Sequence, residues 1–116
     1  MKRDVMLFID DILKSIKNIE DFSEKLDKDK FSKDELRQSA VIRQLEIIGE
    51  AVKNLPGTLK EKYPKTPWKE ISGFRDVLSH SYFGVKIERV WNIIENDLEG
   101  LKLEILKIKR DLEKGK

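Results

Sequence analysis

The apolar residues of the first segment recur in steps of three and four, which is the spacing of one face of an α-helix. This stripe consists of Val5, Ile9, Ile12, Ile16, Ile19 and Leu26. The polar stretch from Asp27 to Lys30 interrupts the spacing. The sequence therefore predicts a first helix that ends before this stretch.

A second apolar run has the same periodicity and stops at Pro56-Gly57. Its members are Leu36, Val41, Leu45, Ile48, Val52 and Leu55. Ser32 followed by Glu35 has the form of a capping box, which predicts that the second helix begins there. A short helical piece from Thr58 to Tyr63 is expected in the loop that follows.

Two further helices are predicted in the second half of the chain. Thr66 and Pro67 are expected to be the N-cap and the first helical position of a third helix that runs to about Phe83. The fourth helix has the most regular stripe: Ile87, Trp91, Ile94, Leu98, Leu101, Ile105, Ile108 and Leu112. Additional apolar residues outside this stripe (Val90, Ile93, Leu103 and Leu106) favour a second contact surface, most simply a homodimer interface.

The pattern contains no strand-like alternation and no internal repeat. It predicts one all-α domain over residues 1–116, an antiparallel four-helix bundle with a short extra helix in the loop between helices 2 and 3. No run of about 18 apolar residues appears, so no membrane span is expected. The absence of cysteine excludes disulfides and thiolate metal sites and fits a cytoplasmic protein.

Charged residues make up 40% of the chain but nearly cancel, to a net charge of +2. This balance does not by itself indicate a nucleic-acid partner. The C-terminal segment is basic, through Lys102, Lys107, Lys109, Arg110, Lys114 and Lys116. Such residues are favourable at the end of a helix, and they are also a candidate surface for attracting RNA or a protein partner.

The candidate chemistry lies on the third predicted helix, which carries the single histidine, His80. Arg75 precedes it by five positions, Asp76 lies one helical turn before it, and Tyr82 shares a face with Arg75. Arg75 and His80 diverge by roughly 140° at their stems, so the long arginine side chain must bring the two heads together. A lone histidine on an amphipathic helix is more often structural, and this spacing alone is a weak signal.

These residue types suit the cleavage of RNA, which carries its own nucleophile in the 2′-hydroxyl. A histidine titrates near neutral pH and can move the proton, while a guanidinium offers forked donors to the phosphate. Asp76 is a supporting candidate, because it would orient the imidazole or, equally, repel the substrate phosphate.

The Arg-x4-His-x-Tyr motif at Arg75, His80 and Tyr82 resembles that of the HepT-like toxins, a branch of the HEPN ribonuclease superfamily. The similarity extends to AVIRQLEIIGEAVKNLP at residues 40–56, YPKTPWKEISGFRDVLSHSYFGV at residues 63–85 and VWNIIENDLEGLK from Val90. It therefore covers almost the whole chain. Many relatives carry Asn after the motif arginine, where this chain has Asp76, an added anion that puts catalytic strength in doubt.

The resemblance implies a HEPN-like four-helix homodimer that acts as a metal-independent endoribonuclease on RNA such as tRNA or mRNA, with no cofactor. It implies the toxin of a type VII toxin–antitoxin pair (HepT/MntA), with Arg75 and His80 as the active residues. Its antitoxin would be a cognate MNT-type nucleotidyltransferase that silences it by AMPylation of Tyr82. An attached phosphate near Arg75 would occupy the guanidinium that RNA needs.

Two alternatives to a ribonuclease remain open: a non-catalytic helical dimer that binds a nucleotidyltransferase or a nucleotide, and a structural bundle. Trp68 and Trp91 are expected to be core or dimer anchors rather than base-stacking residues. Glu46 and Glu50, one turn apart, form either a carboxylate pair near the cleft or part of a solvated face.

Overall fold

The structure, a computed structural model, describes the backbone of residues 2–80 and 87–115 and the side chains of residues 4–74 and 87–115. The described elements are all helical, which confirms the all-α prediction for this part of the chain. They are α1 (Lys2–Ser23), α2 (Lys28–Ser32), α3 (Glu35–Lys53), α4 (Gly57–Lys62), α5 (Trp68–His80), α6 (Ile87–Asn92), a π-helical segment (Ile93–Asp97) and α7 (Leu98–Lys114). The short helix α4 lies where the sequence predicted one or two turns. The antiparallel four-helix arrangement stays a prediction.

The hydrophobic core lies where α1 packs against both α3 and α7. The isoleucine stripe of α1 faces it, because residues three and four apart share one side of a helix. Helix α7 runs antiparallel to α1. Ion pairs show this direction: Lys109 contacts Asp10 at 2.9 Å, and Lys102 contacts Glu20 at 3.1 Å.

The start of α3 differs from the predicted capping box. The N-cap is Asp34, whose carboxylate accepts a hydrogen bond from the Arg37 backbone N–H. This bond is the main cause that lowers the pKa of Asp34. Ser32 instead ends α2, where its hydroxyl donates to the Asp29 carbonyl. The predicted cap at Ser32 is therefore wrong, because a second short helix occupies the stretch that the sequence pattern marked as a break.

The last predicted helix is interrupted by a π-helical segment, Ile93–Asp97. The backbone N–H of Leu98 bonds to the carbonyl of Ile93, five residues earlier, as in a π-turn. Val90 and Leu98, on either side of this segment, lie in the core, whereas Ile94 within it is only half-buried. Segments of this kind are frequent at functional sites.

Helix α5 begins one residue later than predicted, at Trp68, and Pro67 supplies the first accepting carbonyl. The predicted N-cap, Thr66, is wrong, because its hydroxyl oxygen is buried without a hydrogen-bond partner among the described residues. In its described part, α5 packs against α3. Across the described ranges, no helix is long and apolar enough to cross a bilayer.

Candidate functional site

Helix α5 carries three of the four predicted site residues: Arg75, Asp76 and His80. In an α-helix, five residues rise about 7.5 Å, so the backbones of Arg75 and His80 are little more than one turn apart. The side chains of all three lie outside the described residues, and so does Tyr82. The proposed convergence of the arginine and histidine heads stays a prediction.

The start of α5 is fixed by Trp68, which is only 9% exposed. Its indole N–H donates to two backbone carbonyls, that of Tyr63 at 3.0 Å and that of Lys60 at 3.2 Å. Through these two hydrogen bonds, the end of α4 and the following turn pack around the Trp68 ring. Trp68 is thus a core anchor, as the sequence predicted, and it sets where the helix with the motif begins.

A second tie joins the same loop to α7. The Tyr63 hydroxyl donates to a carboxylate oxygen of Asp111 at 2.7 Å. Burial, this hydrogen bond and the negative charges of Asp111 and Glu104 together raise the pKa of Tyr63 to about 12. The loop before α5 is therefore fixed by hydrogen bonds to Trp68 of α5 and to Asp111 of α7.

A groove of about 1180 Å³ opens beside the first half of α5. Leu45 and Ile48 of α3 contribute to its lining, and Ile71 and Phe74 line the α5 side. The opposite wall runs along the π-helical segment into α7. Phe74 immediately precedes Arg75 in α5, so the groove lies beside the stretch of backbone that enters the motif. Its volume is too large for a packing defect.

The groove has polar groups as well as an apolar lining. The Asn96 side-chain amide donates to the Asn92 side-chain oxygen at 2.6 Å, and both residues line the wall opposite α5. Lys65 and Glu70 lie at the end nearest the start of α5. This groove is not predictable from the sequence pattern, because its walls belong to segments that are far apart in the chain.

The basic C-terminal segment is less available than its composition suggested. Lys102 and Lys109 form ion pairs with carboxylates of α1. The hydrogen bond to Asp10 is the main cause that raises the pKa of Lys109. These two cations help to join α7 to α1 and are not free to meet a phosphate.

Trp91 and the glutamate pair also take defined positions. Trp91 is buried, with its ring 5.3 Å from that of Phe31 between centroids and its indole N–H donating to Glu95. It is a core residue, as predicted. Glu46 and Glu50 line a smaller groove of about 360 Å³ between α1 and α3. Within residues 4–74 and 87–115, no three His, Cys, Asp or Glu side chains are grouped so that they could hold a metal ion.

The family described as "Ribonuclease HepT-like" matches residues 12–108 of the chain. This range contains α3, α5 and the whole predicted motif. It extends from the first helix well into α7.

Three relatives illustrate the similarity. "Gamma-glutamylcyclotransferase and putative RNase MJ0434" of Methanocaldococcus jannaschii is 45% identical over 116 residues, which are 100% of this chain but 52% of that protein. "Putative RNase MJ0127" of the same organism is 47% identical over 112 residues, 97% of this chain and 93% of its own length. "Probable ribonuclease HepT" of Thermococcus cleftensis is 40% identical over 110 residues, 95% of this chain and 100% of its own length. The chain thus spans about half of the first relative. No solved structure matches the chain.

Proposed function

The chain belongs to the HepT-like family, and on that premise we propose that it is a metal-independent endoribonuclease that acts through Arg75 and His80. The names of its relatives support a ribonuclease of this family. The observation that carries the site assignment is local: an arginine and the chain's single histidine lie five residues apart on one helix, beside a large groove.

The proposed chemistry uses the 2′-hydroxyl of the substrate as the nucleophile. His80 accepts the proton of this hydroxyl as its oxygen forms a bond to phosphorus, and the bond from phosphorus to the 5′ oxygen breaks. The leaving 5′ oxygen takes up a proton from water, and the products are a 2′,3′-cyclic phosphate and a 5′-hydroxyl. Arg75 donates to the phosphate oxygens as their negative charge increases in the transition state.

Asp76 has a supporting role in this proposal. Lying four positions before His80 on the helix, it favours the protonated form of the imidazole. It also adds a negative charge one residue from Arg75, and this opposes the binding of phosphate. Asp76→Asn is therefore expected to strengthen RNA binding and to shift the pH dependence of cleavage towards lower pH.

We further propose that the chain is the toxin of a type VII toxin–antitoxin pair that acts in the cytoplasm as a homodimeric, antiparallel four-helix bundle. Its antitoxin is a cognate MNT-type nucleotidyltransferase that attaches AMP to Tyr82. The physical basis is that Tyr82 lies seven positions after Arg75, so a phosphate on its hydroxyl would compete with RNA for the guanidinium. Intact mass after co-expression tests this, with Tyr82→Phe expected to gain no AMP.

The test of the ribonuclease proposal is cleavage of purified tRNA and mRNA in EDTA. Wild type is expected to cut, and His80→Ala and Arg75→Ala are each expected to lower the rate by about 100-fold or more. Arg110→Ala is the matched control, because Arg110 is an exposed arginine of α7 remote in sequence from the motif. If wild type leaves both RNAs intact yet binds the nucleotidyltransferase, the chain is the non-catalytic partner instead.

A further inference from the structure

Positive charge is concentrated in the segment that joins α3 to α5. Residues 53–69, which we call the basic connector, contain five lysines and one glutamate, a net charge of +4. The lysines are Lys53, Lys60, Lys62, Lys65 and Lys69. Since the whole chain carries +2, the other 99 residues together carry −2. The connector is thus a local basic region on an otherwise slightly acidic protein.

A buried side chain and hydrogen bonds fix the backbone of the connector, which leads into α5. Leu59 of α4 is buried, and the Trp68 indole N–H bonds the carbonyls of Lys60 and Tyr63. Tyr63 in turn donates to Asp111 of α7. The backbone that carries Lys60, Lys62 and Lys65 is therefore anchored from two sides. Lys69 is the second residue of α5 itself, six positions before Arg75.

The connector lysines are available to an outside anion. Lys53, Lys62, Lys65 and Lys69 are exposed, Lys60 is half-buried, and none of the five forms a salt bridge with a described carboxylate. On α7, Lys102 and Lys109 are engaged by Glu20 and Asp10. The exposed cations of α7 that form no salt bridge with a described carboxylate flank Asp111, the partner of Tyr63, and so border the connector. A cation that is already paired with a carboxylate gains less from a phosphate than an unpaired cation, which only releases its counterions.

We propose that the basic connector binds the phosphate backbone of the RNA and directs the strand to α5; this inference rests on the proposed ribonuclease function. Five lysines within 17 residues raise the local positive potential, and this potential attracts a polyanion to the connector. A flexible polyphosphate can follow such a surface and still reach the next helix. The contacts are with phosphate, so they add affinity without base specificity.

The test measures binding of a fluorescein-labelled single-stranded RNA of mixed sequence over a series of salt concentrations. His80→Ala is the background, so that the RNA stays intact. Lys62→Gln/Lys65→Gln/Lys69→Gln is compared with Lys14→Gln/Lys17→Gln/Lys25→Gln, which removes the same charge from exposed positions on and just after α1, on the other flank of α3. The connector triple is expected to lower the salt slope by about 2 and the affinity at least about tenfold at about 0.15 M salt. The control triple is expected to change affinity less than about threefold.

Equal losses in both triples would mean that only net charge matters, and unchanged affinity in the connector triple would mean that RNA binds elsewhere. Either result overturns the proposal. The triple variant Lys62→Arg/Lys65→Arg/Lys69→Arg should bind RNA within about twofold of the His80→Ala protein. A loss of affinity as large as that of the glutamine triple would rule out a charge effect. Loss of nucleotidyltransferase binding with unchanged RNA affinity would assign the surface to the protein partner and also overturn it.

Failure of the ribonuclease proposal would look different. In the otherwise wild-type chain, the connector triple is expected to raise KM for RNA and to leave kcat within about twofold. If wild type cuts no RNA while the connector lysines still control RNA binding, the catalytic assignment fails and the binding surface stands. If wild type cuts RNA with an unchanged KM in the connector triple, the binding surface fails and the catalytic assignment stands.

Discussion

The two flanks of α3 are built differently. On one flank, α1 contributes Ile9, Ile12, Ile16 and Ile19, all no more than 1% exposed, and ion pairs join α1 to α7. On the other flank, α5 packs on α3, and a groove of about 1180 Å³ lies between these two helices and the wall formed by the π-helical segment and α7. Phe74 is only half-buried there. Among the described residues, the α1 flank is closed by buried isoleucines and ion pairs, whereas the α5 flank contains an open groove.

This difference separates stability from function along the molecule. Substitutions on the α1 flank should lower the free energy of unfolding, because they remove contacts in a filled core. Substitutions of exposed residues along the groove and the basic connector should leave the fold intact and act on RNA binding or cleavage. The predictions that follow test this division, beginning with the largest effect.

Cavity-forming substitutions should give the largest difference in stability between the two flanks. Ile12→Ala is expected to lower the free energy of unfolding by about 2–5 kcal/mol, because Ile12 is fully buried. Phe74→Ala, on the groove, should cost less than half as much despite its larger side chain. Urea denaturation of both variants measures the difference. Equal costs would show that the groove is filled in solution, for example by a second copy of the chain.

A comparison of Trp68 with Trp91 tests whether Trp68 anchors the loop before α5. Trp68→Phe removes the indole bonds to the carbonyls of Lys60 and Tyr63, each of which keeps one backbone donor, so the expected cost is about 1–2 kcal/mol. Trp91→Phe removes one longer bond, 3.3 Å to a carboxylate of exposed Glu95, and should cost less. Thermal unfolding compares them. A larger loss for Trp91→Phe would contradict the anchoring role of Trp68.

The tie between this loop and α7 predicts a pH dependence. The folded pKa of Tyr63, about 12, lies above its ordinary value of 10, so folding favours the protonated hydroxyl. Its contribution is fully present below pH 10 and is lost as the pH rises through 12. Wild type should therefore lose more stability between pH 10 and 12 than Tyr63→Phe. Parallel stability curves for the two proteins would contradict the hydrogen bond to Asp111.

The smallest expected effect concerns two glycines that line the groove. Gly73 in α5 and Gly100 in α7 both have open space where a Cβ would lie, and neither has a positive φ. Replacing either with Ala should stabilise the protein by about 0.5–1 kcal/mol, since glycine is unfavourable inside a helix. RNA cleavage by the two stable variants then reports on the groove. Destabilisation by Gly73→Ala would mean that its surroundings are tighter than the structure shows.

The sequence predicted the long helices because their buried faces repeat every three or four residues. It did not predict α2, which has five residues and one fully buried side chain, Phe31, too few to show a period. The π-helical segment was also missed, because steps of four and three fit either a continuous helix or one with a single wide turn. The caps at Ser32 and Thr66 were wrong because a hydroxyl before a helix marks a start without fixing which residue bonds.

The sequence predicted the helix that carries the candidate site residues, and the roles of these residues stay a prediction. The placement of Arg75, Asp76 and His80 on one helix follows from local sequence, and the structure has them on α5. The sequence predicted a basic surface in the C-terminal segment, where lysines are numerous. Composition does not show which cations are paired, and Lys102 and Lys109 meet carboxylates more than 80 positions away because α1 and α7 are antiparallel. The groove likewise forms between helices that are far apart in the sequence, since α3 and α5 line one side and the π-helical segment and α7 line the other.

The most direct test of catalysis from α5 is single-turnover cleavage of one RNA prepared in two forms, identical except for a 2′-deoxy sugar at the mapped cleavage position. The proposed chemistry predicts that wild type cuts the all-ribose strand in EDTA and leaves a cyclic phosphate, while the substituted strand stays intact at that position. Cleavage of both strands at the same rate would contradict attack by the 2′-hydroxyl and, with it, the roles assigned to His80 and Arg75.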